Sequence, residues 1–181
     1  MSKNVFDGPE IDLIQMLDAR EKRVSIQHQL LKEHPNATLL SASMNIPGPI
    51  KTSNALRLVF DDMIQLIHSH LSDTQVIKQM KTIEITGFTY YLLVKLPYLD
   101  LKKRMVNIEE KTTLGRLFDL DVLWIENGQI QSVSRVDIGM GRRQCYVCQE
   151  DAKECGRSRQ HSIEEMQEKI IEMIKERSRD Q

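Results

Sequence analysis

An α+β domain, with a small mixed sheet packed by helices, is what this sequence predicts, and three observations carry it. Apolar residues recur at helical spacing in several stretches, β-branched and aromatic runs of strand length stand between them, and an Asn-Gly pair marks a hairpin. No internal repeat or low-complexity linker divides the chain, so a single domain over 1–181 is expected. With 181 residues of which 40% are hydrophobic, it has enough apolar side chain for a core.

Asp7, Gly8 and Pro9 read as a helix entrance with proline in the first turn, and Leu13, Leu17, Val24 and Leu31 continue a helix that stops before Pro35. Residues 37–46 fit a strand that ends in the stiff loop Pro47-Gly48-Pro49-Ile50-Lys51. Thr52 or Ser53 then caps a helix whose apolar face is Leu56, Val59, Phe60, Met63, Ile67 and Leu71. Two β-rich runs, 76–86 and 88–96, meet at Gly87 as a hairpin does. Leu101, Met105 and Ile108 mark a third helix, and Leu120 to Ile125 is a strand expected to be buried on both faces. Asn127-Gly128 turns the chain back into a partner strand over 129–138. Ser162 and Glu165, at capping-box spacing, open a last helix with Ile163, Met166, Ile170, Met173 and Ile174 as its stripe.

Lys and Arg number 25 against 26 Asp and Glu, a net charge of −1, which gives no electrostatic footprint for long nucleic acid. Any anion site is therefore local. No run of about 18 apolar residues occurs and Met1 to Gly8 lacks a signal-peptide pattern, so no membrane association and a cytoplasmic location are expected.

Asp119-Leu120-Asp121 is the most informative triplet, because alternate residues of a strand share a face and both carboxylates would point the same way. Such a pair can share Mg²⁺, which takes oxygen ligands and leaves places for substrate phosphates; otherwise one Asp caps a turn and the other ends a strand. Arg116, just before the pair, either locks it by ion pairing or grips a phosphate with its planar fork. Lys51, beside a helix N-terminus, forms a plausible anion cradle or a plain tight connection. Arg57, further into that helix, adds a second positive charge or decorates its polar face.

The 3 cysteines fall between Cys145 and Cys155. Cys145, Cys148, Cys155 and His161 have the spacing of a zinc-knuckle-like loop before the C-terminal helix, and a closed set of four protein ligands would make Zn²⁺ structural. Reduced core thiols with a surface histidine are the other reading. Arg142, Arg143, Arg157 and Arg159 flank the cluster and suit a polyanionic ligand, or are ordinary surface charge.

Four segments in order resemble the apo-citrate lyase phosphoribosyl-dephospho-CoA transferase family. They are Ala19-Arg20 with Arg23 and Gln27; Asn45 to Lys51 with Arg57; Leu114 to Val122; and Arg143-x-Cys145 through Arg157-Ser158-Arg159-x-His161-Ser162. The sequence departs from the family's usual pattern at Thr112-Thr113, Gly87-Phe88-Thr89 and Met140-Gly141. The resemblance implies a nucleotidyltransferase-type enzyme acting on 2'-(5-triphosphoribosyl)-3'-dephospho-CoA. The phosphoribosyl-dephospho-CoA part would go to a Ser of the acyl carrier (gamma) subunit of citrate lyase, with diphosphate leaving. It makes Asp119 and Asp121 candidate Mg²⁺ ligands, with Arg116 also catalytic, and Lys51, Arg57, Arg20, Arg143, Arg157 and Arg159 candidate substrate contacts. A general-base role for one Asp is the other reading of the pair. The alternative from another class is a noncatalytic zinc-knuckle adaptor that binds protein or RNA through the Arg-rich loop.

Overall fold

The computed structural model describes residues 5–177, so Met1 to Asn4, part of the stretch read for a targeting signal, lie outside the described residues. Among the described residues the elements run α1 (Leu13–Glu33), β1 (Thr38–Met44), α2 (Asn54–His70), β2 (Val76–Glu84), β3 (Gly87–Val94), α3 (Tyr98–Lys111), β4 (Phe118–Glu126), β5 (Gln129–Ser132), α4 (Ala152–Ser158) and α5 (Ile163–Arg177). One five-stranded sheet has the order β2-β3-β1-β4-β5. Every pair in it is antiparallel rather than mixed, because the hairpins β2-β3 and β4-β5 flank β1, which runs against both β3 and β4. No helix is long and apolar enough to cross a membrane.

The two faces of the sheet carry different chemistry. Leu40, Ala42, Tyr90, Leu92, Phe118, Leu120 and Val122 meet α2, α3 and α5 in the main core, where Phe60 sits 5.4 Å from Phe88 and 5.9 Å from Phe118 between ring centroids. On the other face, Leu39, Tyr91, Leu93 and Leu123 pack under Leu30 and Leu31 of α1 in a smaller cluster. Burial on both faces of β4 is thus largely as its apolar run suggests, with Asp121 open to solvent.

Local signals set most boundaries. Ser53 caps α2 by accepting from the Leu56 amide, and Ser162 and Glu165 form the reciprocal box that starts α5. Asn127 and Gly128, with φ of 51° and 75°, make the tight turn between β4 and β5.

Three expectations are corrected. First, α1 starts at Leu13 rather than at Pro9. Asp12 and Gln15 form a capping box there, while Ile11 donates to the Pro49 carbonyl at 3.0 Å, which ties the preceding segment to the loop after β1. Second, Leu13, Leu17 and Val24 face solvent, and the buried contacts of α1 come from Leu30 and Leu31 at its end. Third, β5 stops at Ser132 instead of running to 138. Ser134 donates from both its amide and its hydroxyl to Asp137, which turns the chain into a 3-10 segment at Val136–Ile138.

The short β5 leaves the outer edge of β4 bare at Phe118 to Asp121, since its pairing covers only Leu123 to Glu126. Helix α3 fills the gap. Lys102 Nζ donates to the Leu120 carbonyl at 2.9 Å and the Leu120 amide donates to Glu109 Oε1 at 3.1 Å. Both side chains are buried, Lys102 at 6% and Glu109 at 4% exposure, and Arg135 donates to the second Glu109 oxygen at 2.5 Å. Buried charges survive only where partners satisfy them, and each charged side chain of this set has at least one partner. The 3-10 turn Leu114–Leu117 then lies so close on α3 that a Cβ at Gly115 would stand 2.3 Å from the Ile108 carbonyl oxygen, so only glycine fits there.

Replacing Glu109 with Ala strands the Leu120 amide and leaves Arg135 only its partly exposed pair with Glu110, and unfolding free energy should fall by about 3 kcal/mol, the lower end of the cost of breaking one side of a buried charged pair. Glu109→Gln, which can still accept from that amide, should lose less. Urea denaturation of both variants checks the order; equal losses would mean that the hydrogen bond to Leu120 contributes nothing.

Candidate functional site

The register places two polar rows across the α1 side of the sheet. One runs Thr82, Thr89, Ser43, Asp119 and the other Met80, Tyr91, Ser41, Asp121, since cross-strand partners share a face. Asp119 and Asp121 therefore do lie on one face of β4, beside the serines of β1. Gln27 of α1 donates to Ser41 Oγ at 3.0 Å. Arg20, Arg23 and Gln27, at helical spacing, form the stripe of α1 that overlooks this area.

The two carboxylates are treated differently. Arg143 Nη1 donates to Asp119 Oδ1 at 2.7 Å and its other terminal nitrogen donates to the Arg116 carbonyl. Asp121 accepts no hydrogen bond and forms no ion pair among the described residues. Burial first, and then the neighbouring charge of Asp119, raise its pKa above the ordinary carboxylate range. Asp121 is exposed by surface area yet desolvated by the protein around it, which describes the floor of a concave site rather than a protruding edge. A crowded carboxylate pair with one member unpartnered fits a cation.

The cations that bear on the pair are Arg143, on Asp119, and Lys102 and Arg23, near Asp121; Lys51 and Arg116 are engaged elsewhere. Lys51 is half-buried and donates to the Ile46 carbonyl at 2.5 Å; desolvation and then the Arg20 charge lower its pKa. The loop that carries Lys51 is joined to the start of β4 by the Asn45 amide, which donates to the Leu117 carbonyl at 2.8 Å. Arg116 does not lock the carboxylates. Its guanidinium donates to the Gln144 carbonyl at 2.6 Å, and burial, followed by Arg143 and Arg135, lowers its pKa.

Four of the expected cations are not brought to the carboxylates. Arg57 lies 4.0 Å from Asp61, which also holds Lys81, and Lys81 faces the Phe60 ring on the opposite side of the sheet. Arg157 pairs with Glu154 at 3.5 Å along α4, and Arg159 is exposed at the end of that helix. Arg142 pairs with Asp151 at 3.2 Å. Of the arginines around the cysteine segment, only Arg143 touches Asp119.

The cysteine segment converges as its spacing suggests. Ligand atoms of Cys145, Cys148, Cys155 and His161 all lie within 4.8 Å of one another, a group able to hold a metal ion such as zinc. Cys148 Sγ is 3.4 Å from Cys155 Sγ and 3.2 Å from His161 Nε2. The backbone explains the convergence. Gln149, with φ 67°, turns the chain so that its amide donates to the Cys145 carbonyl at 3.0 Å. Asp151 then caps α4 to present Cys155, and Arg159, with φ 49°, ends that helix and returns His161. The Ala152 amide donates to the Arg143 carbonyl at 2.9 Å, so the same fold that gathers the sulfurs holds the arginine on Asp119.

Ser41 and Ser43 were not singled out from the sequence, although Ser41-Ala42-Ser43 inside a strand already places both hydroxyls on one face. The pairing of Arg143 rather than Arg116 with Asp119 had no local signal, because Arg143 stands 24 positions away.

Comparison with known proteins bears on what this face does. The model of the family described as apo-citrate lyase phosphoribosyl-dephospho-CoA transferase matches residues 11–177. A Streptococcus pyogenes serotype M3 protein named "Probable apo-citrate lyase phosphoribosyl-dephospho-CoA transferase" is 47% identical over 169 residues, 93% of this chain and 88% of the relative. A Vibrio cholerae serotype O1 protein of the same name is 38% identical over 167 residues, 90% of this chain and 91% of the relative. "Protein CitXG" of Leuconostoc mesenteroides subsp. cremoris is 37% identical over 171 residues, 93% of this chain but 36% of its own length. The match spans both the carboxylate strand and the cysteine segment, and the chain belongs to the apo-citrate lyase phosphoribosyl-dephospho-CoA transferase family.

Proposed function

We propose that this protein transfers the phosphoribosyl-dephospho-CoA group from 2'-(5-triphosphoribosyl)-3'-dephospho-CoA to a serine of the acyl carrier subunit of citrate lyase. The observation that supports this most is the carboxylate pair of β4, set on a polar sheet face with Arg143 on Asp119, in a chain of this family. In this reading the carrier serine oxygen attacks the phosphorus nearest the ribose. The new P–O bond joins serine to that phosphorus, the bond from it to the diphosphate oxygen breaks, and the serine proton is lost as diphosphate departs. The attacking hydroxyl comes from the partner, so this chain needs no nucleophile of its own.

Asp119 and Asp121 are the residues that would hold Mg²⁺. The ion when bound would neutralise phosphate charge at the reacting centre. Lys51 and Arg20 supply fixed positive charge for the donor's phosphates, and Arg143 positions Asp119. Arg116 carries the cysteine loop by way of Gln144. The cluster of Cys145, Cys148, Cys155 and His161 is read as a structural Zn²⁺ site, because four protein ligands leave no open position for chemistry.

Intact-mass measurement of apo-carrier after incubation with donor, Mg²⁺ and this protein should show the added group on one serine, with diphosphate released. No mass gain with a competent carrier and donor would overturn the reading, and a salt-dependent affinity for RNA in its place would favour an adaptor. Asp119→Asn should slow transfer by about 100-fold or more, as loss of one electrostatic group at a reacting centre does.

Asp121→Asn should lose transfer as well, yet gain stability at neutral pH. The folded protein raises the Asp121 pKa, so between the unfolded and folded values it binds more protons than the unfolded chain, and stability falls as pH rises through that window. The variant escapes this, and its advantage in melting temperature should shrink as pH falls into the acid range. A variant less stable than the parent at pH 7 would contradict the assignment.

For the cysteine cluster, elemental analysis of purified protein should find zinc near one per chain, lost in Cys148→Ser and Cys155→Ser. Transfer should weaken in those variants because Arg143 is then poorly held; protein without metal would refute the zinc reading.

A further inference from the structure

Arg23 stands out on α1 because part of its guanidinium is buried without a partner. Its guanidinium has no hydrogen bond and no ion pair among the described residues, and its Nε is buried with no acceptor. A buried arginine donor without an acceptor is costly, and the planar fork of the side chain is matched by a carboxylate or a phosphate. Neighbouring cations find partners: Lys22 reaches Glu84 at 2.5 Å and Lys78 reaches Glu33 at 2.8 Å.

The surroundings indicate what is missing. Arg23 lines a groove between α1 and the β2-β3 hairpin, whose floor includes Thr82, Thr89 and Tyr91. Those residues continue the rows that end in Asp119 and Asp121. The charge of Arg23 bears on Tyr91 on one side and on Asp121 on the other, so the residue stands where the groove meets the carboxylates. Tyr91 is buried with its pKa raised by desolvation, and it stays a neutral hydroxyl donor at physiological pH. The carboxylate of the groove, Glu84, is already neutralised by Lys22.

We propose that this groove is an anion subsite in which Arg23 holds a phosphate group of the donor beside Asp121. The proposal deepens the transfer reading and rests on it for the identity of the ligand. The ligand class is a diphosphate or a phosphate ester, held by one guanidinium fork and threonine hydroxyls rather than by a glycine-rich loop.

The test is calorimetric titration of the full chain with inorganic diphosphate and, separately, with dephospho-CoA, using the parent, Arg23→Gln and Arg23→Lys. Loss of a charged hydrogen-bonded contact should weaken the affected probe by about 10–100-fold in Arg23→Gln, with partial recovery in Arg23→Lys, which keeps the charge but not the fork. Dependence on Arg23 for diphosphate assigns the groove to the departing end of the donor, and dependence for dephospho-CoA assigns it to the transferred end. Unchanged binding of both probes in Arg23→Gln, or no binding of either by the parent, overturns the subsite. Arg23-dependent binding in a protein that fails to modify the carrier would keep the subsite and remove the transfer reading. Carrier modification by Arg23→Gln with the donor KM of the parent would do the reverse.

Discussion

The hold of α3 on the Leu120 backbone is the constraint on which the rest depends. A strand whose outer edge has no neighbour can twist, slip or pair with another chain. Here Lys102 and Glu109 satisfy the carbonyl and amide of the one residue between Asp119 and Asp121. Neither contact touches the polar face directly, yet together they fix the register and pleat that direct both carboxylates to it. Arg135 completes the arrangement by neutralising Glu109 from the segment that follows β5. The shortness of β5 is therefore part of the design of the site, since a longer strand would displace the helix contacts.

From that anchor the sheet divides the work. Its apolar face gives stability through α2, α3 and α5. Its other face is apolar only under the end of α1, and becomes hydroxylic and charged toward the start of β4. The cysteine segment packs Tyr146 against the main core and has its Gln144 carbonyl held by Arg116; it reaches the carboxylates through Arg143, whose carbonyl is bonded within the cysteine fold and whose guanidinium rests on Asp119. A structural metal there would act on chemistry only by holding an arginine in place. The raised pKa of Asp121 reflects the stability cost of desolvating a carboxylate and, after that, of keeping it beside a second one.

How far the sequence could be read follows from the range of each signal. The carboxylate pair was legible because strand alternation is local, and the Asn127-Gly128 turn and the Ser162–Glu165 box were legible for the same reason. The four metal-binding candidates were legible because they lie close in sequence. Family resemblance drew attention to Arg23 in α1 without giving it a role. The end of β5 was misjudged because a Ser134–Asp137 turn competes with strand pairing, and the apolar residues early in α1 because periodicity does not say which face is covered. Arg57 was expected near phosphates because it follows Lys51 closely, but one helical turn carries it to Asp61 and the other side of the sheet. The choice of Arg143 over Arg116, and the burial of Lys102 and Glu109, depend on contacts between distant segments and had no sequence signal.

The account stands on Asp119 and Asp121 forming one cation-binding centre at the donor's phosphates. Titration with Mn²⁺ followed by electron paramagnetic resonance, with and without inorganic diphosphate, addresses that claim without relying on turnover. One bound ion per chain, tightened by diphosphate and lost in Asp121→Asn while the fold is retained, is the result predicted. Mn²⁺ binding that is unchanged when Asp119 and Asp121 are both replaced by Asn, or absent from the parent with diphosphate present, would contradict it.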